Sequence, residues 1–366
     1  MLTQEIASEI VKQTTIRLNR NINIMNKKGT IIASGDPNRI NQVHFGAVEV
    51  FRTGKALIIN EHGPHQWEGA LPGINLPIEF QQLIIGVIGI TGNPKEIMEF
   101  GELVKMITEM MIQQSFMTEQ LEWKQRLKEL VFEDLLEDSF NQELVQQRLN
   151  LIGTKLEPPY QVAVLQIGTN QLKRSDYIQI FEDIFDKTHT LIGFFHANRL
   201  FILTSKLPET RVKQKLLTVI QQLKSRGIIS PRIGIGLVVE TEPHIHHSFD
   251  QSLSALTLGN SVQDLITYTE VETKALIDGL DEQTKQQFIE RILGDLSDKL
   301  IDTLEHFFAS NLNLGKCAKR MYLHRNSLIY RIKKIKEHTG YDPQQLNDVI
   351  TLQLAVWINQ MYKKRV

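Results

Sequence analysis

Apolar spacing along the chain changes period several times, and each change predicts a different kind of element. In residues 2–21, Leu2, Ile6, Ile10, Val11, Thr14 and Leu18 lie close to one stripe, the spacing of an amphipathic helix. Ile22–Met25 and Thr30–Ser34 are short apolar runs joined by Asn26-Lys27-Lys28-Gly29, which predicts a hairpin. Asp36-Pro37 predicts a helix start, with Arg39, Ile40 and Val43 opening a short helix. Ala56–Asn60 and Leu83–Thr91 read as strands, the second ended by Gly92-Asn93-Pro94. Between them, Glu61–Pro77 carries Gly63, Pro64, Gly69, Pro72, Gly73 and Pro77 and is expected to be a long loop.

Residues 95–138 predict one long helix or two in succession. Leu103, Ile107, Met110, Gln114, Met117 and Leu121 recur at four- and three-residue steps, a coiled-coil seam with one polar member. Over the first half, packing on the preceding domain fits equally well. Beyond Gln120 the charged composition favours a dimer seam or a signalling helix.

Glu157-Pro158-Pro159 marks a domain start. Strands are predicted at Tyr160–Ile167 and Arg232–Val239, and a hairpin at Thr190–Phe195 and Arg199–Thr204. Helices are predicted at Ile178–Phe185, Val212–Leu223 and Ser248–Leu258. Such alternation indicates an α/β sandwich. Glu282–Ser310 holds one or two further helices. Asp348–Tyr362 is a last helix, packing through Leu352, Ala355, Val356 and Ile358. The predicted fold class is multidomain α+β: a sensor domain of PAS or Cache type, a long connecting helix, an α/β domain and an all-α end. The expected boundaries are 1–138, 139–270 and 280–366.

Charge sharpens the last of these. Between Lys316 and Lys336 stand eight Lys/Arg and no Asp/Glu, in a chain of net charge −1, so the other segments carry −9. Ala318 and Met321 share one face of a short helix, a break follows at Tyr322–Leu323, and Leu328, Ile332 and Ile335 form the buried stripe of a second helix. Two short helices with a tight connection and segregated positive charge fit a helix-turn-helix on double-stranded DNA. The face opposite the stripe carries Asn326, Tyr330 and Lys333, beside Ser327 and Lys334. Arg325, Asn326, Ser327 and Tyr330, with Arg331 on the flank, are the candidates for reading bases. Lys316, Lys319, Arg320, Lys333 and Lys334 are the candidates for phosphate. A solvated basic helix is the alternative reading of the same pattern.

Composition is that of a globular protein, 42% hydrophobic and 23% charged. The longest apolar run, near Leu83–Ile90, is far short of a membrane span. No membrane partner is expected, and the lone Cys317 fits a reducing cytoplasm.

The string Leu323-His324-Arg325-Asn326-Ser327-Leu328-x-Tyr330-Arg331-Ile332-x-x-Ile335, followed by Thr339-Gly340, resembles the C-terminal helix-turn-helix of purine-catabolism and sugar-diacid regulators. Phe249-Asp250-Gln251-Ser252-Leu253-x-Ala255-Leu256 loosely resembles the final helix of the degenerate cyclase-like (GGDEF-like) middle domain of the same regulators. Asp36-x-x-Arg39-Ile40-x-x-x-His44-x-Gly46-Ala47, Gly73-Ile74-Asn75-Leu76-Pro77-Ile78 and the glycine series Gly86, Gly89 and Gly92 resemble a sugar-diacid-recognition domain. The resemblance implies a transcription regulator, usually an activator, responding to a small organic acid, either a sugar diacid or its product glycerate; the helical seam adds the expectation of a homodimer. Arg39, His44, Gly73, Asn75 and Pro77 are the matched positions that could hold it. Arg39 would take a carboxylate, His44 a carboxylate or hydroxyl, and the Gly73–Asn75 backbone the other end. Arg39 and His44 equally suit tying the short helix to the sheet. A different small anion is an alternative effector, since Glu61–Glu68 matches nothing in the family pattern.

No cofactor, metal or catalytic residue is expected. His62-x-x-His65 and His244-x-His246-His247 lack companion cysteines. The hairpin that would carry a cyclase signature reads Phe195-His196-Ala197-Asn198-Arg199, without its glycine pair or metal-binding carboxylates. A residual nucleotide-processing enzyme in the middle domain is the alternative of another class.

Overall fold

The computed structural model describes residues 2–18, 20–60, 71–168 and 172–365. They form two compact units that divide within one helix, between Gln125 and Arg126. The first unit holds α1 (Gln4–Leu18), β1 (Ile22–Met25), β2 (Ile31–Ser34), a 3-10 turn (Pro37–Arg39), α2 (Phe45–Thr53), β3 (Leu57–Ile59), β4 (Gly73–Phe80), β5 (Leu83–Thr91) and most of α3 (Pro94–Leu135). The strands form one antiparallel sheet, ordered β2-β1-β5-β4-β3. Period-two alternation sends Ile22, Ile24, Ile74, Leu76, Ile88 and Ile90 to one core with α1 and the first half of α3. Met25, Ile31 and Val87 go to a smaller core under α2.

Two expectations here need correction. The helix expected at Arg39–Val43 is only the single 3-10 turn. Asp36 caps it by accepting from the Asn38 N–H at 3.0 Å, and Asn41 then takes a left-handed φ of 71° that stops propagation. The α-helix begins later, with His44 as its N-cap. The loop expected through Pro77 is not a loop from Gly73 onward: Gly73–Pro77 lies in β4, buried throughout. Pro77 is tolerated because β3 pairs with β4 only over Gly73–Asn75, so no neighbouring strand needs its missing N–H. His62, His65 and Trp67 lie outside the described residues.

The helix α3 is continuous over 42 residues. It packs on the sheet through Ile97, Gly101, Val104, Thr108 and Ile112. The expected seam is a different stripe, and Leu103, Met110, Met117 and Leu121 are left exposed.

The second unit begins with the end of α3, where Val131, Phe132 and Leu135 are fully buried. It continues through α4 (Gln142–Ile152), β6 (Tyr160–Gln166), α5 (Arg174–Ile184), β7 (Thr190–His196), β8 (Arg199–Ser205), α6 (Glu209–Ser225), β9 (Arg232–Ile235), α7 (Ile245–Leu258), β10 (Leu265–Thr267) and α8 (Tyr268–Asp278). The sheet order is β10-β9-β6-β8-β7, with only β9 and β10 parallel. One face buries α5 and α6, the other the end of α3 with α4 and α7. The strand expected to reach Val239 stops at Ile235. A side chain at Gly236 would stand 1.8 Å from the Ser248 carbonyl oxygen, so here the backbone itself rests on α7. The helix α4, the strand β10 and the helix α8 had no counterpart among the expectations.

Five helices close the unit: α9 (Glu282–Ile292), α10 (Asp298–Phe308), α11 (Leu314–Arg320), α12 (Arg325–Thr339) and α13 (Leu346–Arg365). Their shared core contains Leu304, Phe307, Cys317, Leu328, Ile332, Ile335, Leu352 and Val356.

Candidate functional site

The basic stretch is a helix-turn-helix set by its caps. The side chain of Asn313 accepts from the Lys316 N–H at 2.9 Å and starts α11. Tyr322 takes φ 54° and turns the chain, with its ring 97% exposed. His324 then caps α12, its Nδ1 accepting from the Asn326 N–H at 3.3 Å. Leu328, Ile332 and Ile335 are buried as their spacing predicts, which leaves Arg325, Asn326, Ser327, Tyr330, Lys333 and Lys334 exposed on α12. Lys316, Lys319 and Arg320 are exposed on α11. The ammonium of Lys334 lies 5.2 Å from the Tyr330 ring centroid, so these two side chains form one surface.

Arg331 stands apart. It is half-buried, and its Nη1 donates to Thr303 Oγ1 at 3.2 Å, tying α12 to α10. Lys336 also has an internal partner, Asp342 at 2.7 Å, and that hydrogen bond and charge raise its pKa. Cys317 is fully buried. Burial pushes its thiol pKa up, against a hydrogen bond with Ser310, so the reactive thiolate is disfavoured.

The matched positions of the first unit gather on the α2 side of its sheet. Asn75 and Gly89 are register partners on β4 and β5, and a side chain built at Gly89 would stand 3.0 Å from Asn75 Oδ1 and 3.3 Å from Met25 Cε. Gly73 follows the same alternation and pairs with Ile59 on β3. A side chain at Gly46 would meet both the His44 ring, at 3.1 Å, and Ile59 Cδ1, at 3.2 Å, so the ring sits beside Ile59. His44 is 8% exposed and Asn75 is 3% exposed. His44 Nδ1 and Asn75 Oδ1 are both buried without a hydrogen-bond partner. Burial, then the charge of Arg39, lowers the His44 pKa to about 4, so the ring is neutral at pH 7. The backbone of Gly73–Asn75 is paired to strands on both sides and forms no open nest of N–H groups. What β4 offers in its place is the Asn75 side chain.

In the middle domain, β7 and β8 turn at His196–Arg199 with no carboxylate at the tip. Three family models match the chain in order: sugar diacid recognition over residues 2–135, a GGDEF-like domain over 137–258, and a PucR C-terminal helix-turn-helix over 300–358. The carbohydrate diacid regulator of Escherichia coli is 27% identical, with 98% of each chain covered. The chain is thus similar to the sugar diacid regulators in all three domains and in their order. An uncharacterised Haemophilus influenzae protein is 27% identical over 97% of this chain and 98% of its own. The DNA-binding transcriptional activator AdeR of Bacillus subtilis is 24% identical over 65% of this chain and 58% of its own.

This regulator is therefore a DNA-binding transcriptional regulator with a helix-turn-helix and a sugar-diacid-recognition domain. Among its described residues no helix is long and apolar enough to cross a membrane. Two features of its sites escaped the sequence reading. Thr303 as the anchor of Arg331 lies 28 residues away on another helix, and no spacing rule connects them. The partnerless state of the Asn75 and His44 side chains appears only once the sheet is closed.

Proposed function

We propose that this regulator activates genes for the use of sugar diacids or glycerate, and that the acid binds between α2 and the sheet. The observation that carries the reading is the pair of buried, partnerless polar atoms, His44 Nδ1 and Asn75 Oδ1, on one sheet face with the half-buried Arg39 nearby. Buried polar groups are nearly always satisfied, so two unmet ones on one face suit a polyhydroxy acid. Arg39 takes a carboxylate. The neutral His44 and the Asn75 amide take hydroxyls. Gly73, Gly89 and Pro77 keep that face shallow. The domain acts as a sensor of PAS or Cache type.

The output surface is Lys319, Arg320, His324, Arg325, Asn326, Ser327, Tyr330 and Lys334, docked on a double-stranded operator in the cytoplasm. Arg331 supports it from behind. The exposed stripe Leu103, Met110, Met117 and Leu121 on α3 pairs two copies into a homodimer. The sensor sheet packs on the first half of α3, and the middle domain packs on its end. An acid that favours one arrangement of this helix changes the spacing of the paired DNA-binding units. The middle domain transmits and catalyses nothing.

Calorimetric titration with glycerate, glucarate, galactarate and neutral galactose tests the effector site. At least one acid is expected to bind saturably, and Arg39→Ala and Asn75→Leu are each expected to abolish that binding. Absence of binding by every acid, or unchanged binding in both variants, would sink the assignment.

A further inference from the structure

The second unit contains a cavity that neither the sensor nor the DNA-binding surface uses. Its volume is about 430 Å³, within the range of small-molecule pockets, and it opens between the middle domain and α13. Three adjacent strands supply one wall. Gln166 on β6 is the register partner of both Arg199 on β8 and Arg232 on β9, so the two arginines flank one glutamine in a single row. Arg232 donates through Nη2 to the Leu256 carbonyl at 2.8 Å and through Nη1 to Gln166 Oε1 at 3.4 Å. Its Nε is buried with no partner. Among the described residues neither arginine has a carboxylate within 4.0 Å. Lys274 on α8 adds a third cation, 5.7 Å from the Trp357 ring centroid, and Asp278 is the one acidic group of the lining. The lining therefore carries a net charge of +2. Buried Leu256, Leu258 and Met361 complete it with apolar surface.

We propose that this cavity is a second ligand site, for a small phosphate ester whose dianion sits on Arg199 and Arg232 and whose organic portion lies against Trp357. Two arginines on either side of one glutamine can turn forked donors onto the oxygens of one phosphate. A guanidinium that is desolvated and has no carboxylate beside it is costly unless an anion compensates its charge. Trp357 and Met361 belong to α13, which also buries Leu352, Ala355 and Val356 in the core of the DNA-binding unit. An occupant would touch the middle domain and that helix together, giving the domain that lost its cyclase signature an input of its own. The site stands whether or not the sensor binds an acid.

Full-length protein titrated calorimetrically with adenosine monophosphate and with inorganic pyrophosphate decides it. Saturable binding of at least one is expected, weakened about tenfold or more by Arg199→Gln and separately by Arg232→Gln. If Trp357→Phe leaves pyrophosphate unchanged and Trp357→Ala weakens only the nucleotide, the ring contact is placed as proposed. No saturable binding of either probe up to about 10 mM would overturn the proposal. Unchanged affinity in Arg199→Gln, whose half-exposed side chain is removable without unfolding the sheet, would overturn it equally.

Discussion

His44 shows how one buried side chain links stability to pH. Its pKa falls from 6.5 to about 4 because burial, helped by Arg39, disfavours the charged ring. The unfolded chain therefore binds the proton more readily, and this contribution to stability is present above pH 6.5 and lost as the pH falls towards 4. The full loss is about 3 kcal/mol. Chemical denaturation of the first unit across that window should show wild type losing stability relative to His44→Gln. Parallel curves would mean that the ring is not held neutral. On α12 the exposed residues are expected to divide by role. Arg325→Ala should relax site preference, whereas Lys334→Ala should weaken all duplexes alike and reduce the salt slope of binding by about one. Arg331→Met should instead destabilise the helix-turn-helix by about 1 kcal/mol, seen as a lower unfolding midpoint without DNA.

On α3 two stripes differ in burial. Ile97, Val104 and Ile112 are buried on the sheet, and the seam beside them is exposed. Met110→Glu with Met117→Glu should convert a dimer to a monomer in sedimentation while the circular dichroism spectrum is retained. A wild-type chain that sediments as a monomer would remove the seam from the account. Gly236 tests the packing of α7 on the middle sheet. A methyl group there meets a backbone carbonyl that cannot rotate away, so Gly236→Ala should cost about 2 kcal/mol.

Legibility also divides by element. The stripe Leu328, Ile332 and Ile335 could be read directly, because a helix on a core needs that spacing. The sheet-facing stripe of α3 was not read, because the seam beside it is also apolar and only the neighbouring sheet decides which is covered. β4 was unreadable at Gly73–Pro77, since Gly and Pro signal loops unless the strand's neighbours are known. The candidate site was legible in its residue types, from Arg39, His44 and Asn75. It was illegible in its geometry, because only the packing of α2 on the sheet brings His44 to the face that carries Asn75, 31 residues further along the chain.

For the whole molecule, the proposed function makes the parts a sequence of input, connection and output. A sheet with unmet polar groups packs on the start of a long helix, and the end of that helix is built into a domain continuous with the DNA-binding unit. An acid at Arg39, His44 and Asn75 is proposed to alter operator binding. The most direct measurement is fluorescence anisotropy with duplex DNA selected by the protein itself from a random pool, in the presence and absence of saturating glycerate, glucarate or galactarate. At least one acid is expected to shift the operator affinity by about fivefold or more, and Asn75→Leu is expected to abolish the shift while leaving affinity without ligand intact. Identical affinity with and without every acid, in a protein that binds its operator, would contradict it.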